Sequence, residues 1–101
     1  MELTKRTIQI IEELFSSSEC KNVEDLLVAD CSNNLAGCDG WHSENLERVW
    51  LSVLKLSSGN LEKLHSAISL AQTDYRDLFM SAGFGQDIYA HKKWTPKNAN
   101  H

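Results

Sequence analysis

The sequence has one proline and five glycines in 101 residues, too few for a low-complexity or linker-like chain. It has no long hydrophobic run. The longest apolar stretches are broken by Glu12, Glu13, Arg48 and Lys55, whereas a spanning helix needs ~20 largely apolar residues, so no membrane partner is expected. No segment alternates apolar and polar residues beyond a few positions, which leaves no candidate for a half-buried strand. Met1, Glu2 and Leu3 place no cationic stretch ahead of an apolar core, so no secretory leader is expected. The three cysteines, Cys20, Cys31 and Cys38, are odd in number and include no Cys-x-x-Cys pair. Together these features suggest a reducing, cytoplasmic location without structural disulfides.

Positive charge is in deficit as well. Ten Lys and Arg face fourteen Asp and Glu, a formal net charge of −4. Phosphate neutralisation needs a basic face, so nucleic acid is an unfavoured partner. The balance is uneven along the chain. Residues 1–50 carry four basic and ten acidic side chains, a net of −6, and residues 51–101 carry six and four, a net of +2. That asymmetry is compatible with a homo-oligomer assembled head to tail, although its plainer consequence is solubility.

What the sequence does contain is helical periodicity. Ile8, Ile11, Leu14 and Phe15 mark a first helix over 2–17, ended by Ser16-Ser17-Ser18. Asn22 is the expected cap of a second helix, with Val23, Leu26, Leu27 and Cys31 on its stripe, fading near Asn33 and Asn34. Gly37 and Gly40 read as a loop running to Trp41. Leu46, Val49, Trp50, Val53 and Leu54 give the strongest stripe, in a helix capped by Ser43 and ended by Ser57-Ser58-Gly59. Asn60 reads as the cap of the next helix, whose stripe is Leu61, Leu64, Ile68 and Ala71. The short break predicts an antiparallel central hairpin, about 43–58 and 60–72. Thr73 is expected to cap a fifth helix carrying Tyr75, Leu78, Phe79 and Ala82, stopped at Gly83. Residues 86–92 read as a short sixth helix with Ile88 as its core contact. The fold class expected is all-α: a single compact domain of five to six short helices over 1–96, followed by a flexible tail over 97–101.

Chemistry-bearing patterns are sparse. Cys20, Cys31, Cys38 and His42 could in principle ligate zinc, but Cys31-x6-Cys38-x3-His42 lacks the close pairs that hold two ligands on one knuckle. No His-Glu-x-x-His or His-x-x-x-His pair occurs, and neither a metal nor another cofactor is expected. Ala82-Gly83-Phe84-Gly85 lacks the preceding strand and the Lys-Ser/Thr pair of a phosphate loop. Asp74 and Asp77 share a helix face, where first-turn acids ordinarily complement the dipole. The densest stretch is 73–94. There Tyr75, Asp77, Tyr89, His91, Lys92, Lys93 and Trp94 form the candidate ligand- or partner-binding set, with His91 expected in solvent. Phe79, Phe84 and Trp94 are expected to converge on the central hairpin as a C-terminal latch.

The expected role is a small interaction or regulatory module, with another protein as its partner and no catalysis. The alternatives are a small-ligand binder or enzyme with a pocket near residues 73–94, and a nucleic-acid accessory protein using the C-terminal lysines.

Overall fold

The computed structural model describes residues 2–32, 35, 41–87 and 89–96, with the side chains of 43 and 44 outside the description. Its described residues form six helices and no strand: α1 Lys5–Leu14, α2 Ser17–Asp30, α3 Ser43–Ser57, α4 Leu61–Thr73, α5 Tyr75–Ala82 and α6 Ala90–Lys93. The Cα radius of gyration is 12.1 Å, close to the ~13 Å of a compact chain of this size. No helix among the described residues is long and apolar enough to cross a membrane.

The helix starts follow from local hydrogen bonding. Thr4 caps α1 by accepting from the Thr7 amide at 3.3 Å. Asn60 caps α4 by accepting from the Lys63 amide at 3.0 Å. Asp74 caps α5 through the Arg76 amide at 2.9 Å; Thr73, expected in that role, is instead the last residue of α4. Ser43 likewise opens α3 as its first helical residue, and His42 occupies the cap position.

The start of α2 departs most from the sequence reading. The first helix does stop before the serine run, but the run also begins the next helix, six residues ahead of Asn22. The Glu19 carboxylate accepts from the Ser16 backbone amide at 3.4 Å and from its hydroxyl at 3.0 Å, the reciprocal half of a capping box. Ser17 and Ser18 then occupy the first turn, where the backbone amides have no intrahelical partners and serine is well tolerated. Extended backbone at Phe15 and Ser16 makes the break between α1 and α2.

α3 is the centre. Leu46, Val49, Trp50, Leu51, Val53 and Leu54 are all fully buried, and the helix packs against α1, α4, α5 and α6. Its most extensive packing is against α4, whose inward face is Leu64, Ala67, Ile68 and Ala71. The Trp50 indole N–H donates to the Cys31 carbonyl at 2.8 Å, joining α3 to the end of α2. The stripe of α1 is rotated from the one expected: Thr7, Ile10 and Ile11 face the core, while Ile8 and Leu14 are only half-buried.

The link from α3 to α4 uses two left-handed residues, Ser58 (φ 50°) and Gly59 (φ 81°). A Cβ on Gly59 would lie 2.6 Å from the Leu14 carbonyl oxygen, so the glycine also admits the end of α1. The sixth helix is shorter than expected, four residues at 90–93. Ile88, Gly37, Gly40, Asn33, Asn34 and the segment 97–101 lie outside the described residues.

Candidate functional site

The candidate residues of 73–94 lie in different environments. Tyr75, half-buried, lies edge-on to Trp41 at 5.2 Å and to Phe79 at 5.6 Å between ring centroids. Asp77 is exposed in the first turn of α5, where its charge complements the helix dipole. Tyr89 is 56% exposed, with the Lys92 ammonium 5.2 Å from its ring centre. Lys93 is also exposed.

His91 is not in solvent as expected; it is 3% exposed. It stands at a junction of three segments. From α3 comes Glu47, itself buried, with Oε2 3.8 Å from His91 Nε2. The other Glu47 oxygen accepts from the Thr4 hydroxyl at 2.6 Å. From α1, the Arg6 guanidinium donates to the backbone carbonyls of His91, at 3.4 Å, and Trp94. Phe84 stands edge-on to both His91 and Trp94, each at 6.3 Å between ring centroids. Neither ring nitrogen of His91 has a hydrogen-bond partner among the described residues, and the same holds for the Trp94 indole nitrogen. Burial is the first cause holding the His91 imidazole below its ordinary pKa of 6.5; Glu47 opposes this, while Lys92, Arg48 and Arg6 add to it. The ring is therefore neutral at physiological pH.

Arg48 links this junction to α5. Its guanidinium lies 4.0 Å from the Phe79 ring centre and donates to the Phe84 carbonyl at 2.6 Å. Burial lowers its pKa and Asp87 acts the other way, but a guanidinium stays charged. Phe79, Phe84 and Trp94 are all buried, in the same hydrophobic core as the inward faces of α3 and α4. Phe84 and Trp94 pair edge-on, and Arg48 links Phe79 to Phe84, since it lies on the ring of one and donates to the carbonyl of the other.

Glu47 and Arg48 were absent from the candidate set. A signal was present for Glu47: it precedes Trp50 by three and Leu54 by seven, which sets a carboxylate on an apolar face. His91 stands in the same relation to Trp94. Glu62 and His65, the only Glu-x-x-His pair in the chain, are both exposed on α4.

The cysteines show no reactive geometry among the described residues. Cys31 is buried at the end of α2. Burial, and then the carboxylates of Glu12, Glu24 and Glu19, push the Cys20 thiol up from 9.0, the opposite of what a nucleophile needs. Cys38 lies outside the described residues. Among the rest, no three His, Cys, Asp or Glu side chains converge in a way that could hold a metal ion.

Two surface depressions are relevant to binding. One, of about 250 Å³, has Leu56, Ala67 and Leu70 as its floor and Lys63 at its edge. The second, of about 440 Å³, sets Leu3, Ile8 and Val28 among Glu2, Glu24 and Asp25. Neither is lined by residues of the candidate set, but a further depression of about 270 Å³ lies within 73–94, lined by Met80, Gly83, Gly85 and Gln86. No protein family matches the chain, and no curated protein or solved structure is significantly similar to it.

Proposed function

We propose that the protein is a helical interaction or regulatory module that binds another protein and performs no chemistry itself. One observation carries this reading. Met80 is 63% exposed and Tyr89 56% exposed, the two large hydrophobic side chains left in solvent among the described residues, and they lie within ten positions of each other. Methionine and tyrosine are enriched where proteins meet. Met80 also lies over Gly85, where an added Cβ would fall 2.2 Å from its sulfur. The polar groups nearby that could serve catalysis are instead engaged within the fold: Glu47 with Thr4, Arg6 and Arg48 with backbone carbonyls.

The test is affinity capture from cell extract with the parent and with Met80→Glu and Tyr89→Ala variants of unchanged melting temperature. Loss of the same bound protein with both substitutions is the expected result. A bound protein indifferent to both substitutions sinks the reading. A metabolite that raises the melting temperature favours a small-ligand role instead. Steeply salt-dependent binding of DNA or RNA, lost on substituting Lys92 and Lys93, favours the nucleic-acid role.

A further inference from the structure

The junction around His91 places a buried, titratable ring where the C-terminal segment is tied to α1 and α3. The segment's own helix is only four residues long, so most of its stability comes from this docking rather than from helix formation. Gly83, left-handed at φ 81°, ends α5 immediately before it and provides a point of bending.

We propose that residues 84–94 are an acid-released latch, in which protonation of His91 detaches the segment from α1 and α3. The charges facing the ring set the direction. From α1 comes the Arg6 guanidinium, with the neutral Thr4 hydroxyl at the helix cap. From α3 come Glu47 and Arg48, and from its own segment Lys92. Among the described residues Asp87 acts on Arg48. An imidazolium would thus stand among three cations and one carboxylate. That carboxylate is 3.8 Å away, beyond hydrogen-bond distance, and its other oxygen is held by Thr4. Burial works in the same direction as the cations.

The detached imidazole takes up its proton near 6.5, and the docked one only at lower pH. Between those two values the opening constant rises about tenfold for each pH unit of acidification, because opening binds one proton. Opening uncovers Phe84 and Trp94, an apolar surface hidden at neutral pH.

Two indoles in the same molecule read this out. Trp94 lies on the latch, and Trp50 lies in the core with its N–H bonded to the Cys31 carbonyl. Hydrogen exchange of both indole N–H groups is followed by NMR from pH 7.5 to 5, corrected for the intrinsic rate. The expected result is that Trp94 protection falls below pH 6.5, by at most tenfold per pH unit and levelling off once the docked ring is itself protonated, while Trp50 protection holds. His91→Gln abolishes the fall. Glu47→Gln, which removes the one opposing charge, extends it to lower pH. If both indoles lose protection together, the acid effect is global unfolding and the latch is overturned. It is equally overturned if neither responds, or if His91→Gln opens over the same range as the parent.

Discussion

Two glycines share a backbone conformation yet differ in what surrounds them. Gly59 and Gly83 both have φ 81°, where any L side chain is strained by ~1–2 kcal/mol. At Gly83 an added methyl would meet only the mobile Lys55 ammonium, 3.5 Å away; at Gly59 it would meet the Leu14 backbone at 2.6 Å. Gly83→Ala is therefore expected to destabilise by ~1–2 kcal/mol and Gly59→Ala by clearly more, read as urea midpoints at unchanged m. Equal losses would mean that α1 can withdraw from the link without penalty. The contrast between Glu47 and Glu62 makes the same point. Each stands third in an Asn-Leu-Glu-basic-aliphatic run, at 45–49 and 60–64. Glu47 is buried against Thr4 and His91, and Glu62 is exposed. Residue type and local order are the same; the position within the helix and the neighbouring segment differ. Cys20 gives a prediction in pH. Its thiol is raised from 9.0 in the folded chain, so the stability it contributes is complete below 9.0 and declines as pH rises through the folded value. Melting temperatures from pH 8 to 10.5 should fall less steeply in Cys20→Ser than in the parent.

At the scale of elements, the caps separate local from tertiary effects. The exposed Asn60 side chain caps α4 by accepting from the Lys63 amide within its own first turn. Thr4 caps α1 and also donates to the buried Glu47 carboxylate. Asn60→Ala should cost about 1 kcal/mol, the usual value of a cap. Thr4→Ala should cost ~2–3 kcal/mol, because a hydrogen bond to a charged group is lost as well. Chemical denaturation of the two variants measures the difference, and equal values would show that Glu47 gains nothing from Thr4. The helices themselves were unequally legible. The α3 stripe is read correctly from sequence because its residues are all fully buried and the helix is covered on several sides. The α1 stripe is misjudged by about one position, since Thr7 is buried through its bond to Thr4 while Ile8 is left at a surface depression. Serine's two opposed uses, as helix breaker and as cap, account for the misplaced start of α2.

At the scale of the molecule, the first and last described segments are joined. Arg6 holds the carbonyls of His91 and Trp94, Thr4 holds Glu47, and Trp94 packs on Phe84. A chain ending at Tyr89 loses His91, the buried Trp94 and both carbonyl acceptors of Arg6. The expected loss is ~3–5 kcal/mol for the tryptophan alone, or roughly 12 °C or more in melting temperature for a domain of this length. A truncated chain that melts within a few degrees of the parent would show that the C-terminal segment adds nothing to the fold.

The helical class, the central position of α3, the Asn60 cap and the stop at Gly83 are properties of short stretches, fixed by periodicity and by the hydrogen-bonding capacity of nearby side chains. The sequence by itself determined the helices, the cap and the stop because the interactions that decide them are local, and it pointed to α3 as central because the apolar stripe of that helix is the broadest. The candidate set at 73–94 was read from the same local information, as a dense aromatic and ionisable stretch, and there that information ran out. Whether His91 stands in water or inside the fold depends on Glu47, forty-four positions earlier, and Arg6, eighty-five earlier. A buried polar junction leaves no repeating pattern along the chain, because its members come from different elements and each looks in isolation like a surface residue. Only the tertiary structure decided that His91 and Trp94 face inward while Tyr89 and Met80 remain outside, since the groups that cover them, Arg6, Glu47 and Phe84, come from other parts of the chain and are brought beside them only by folding.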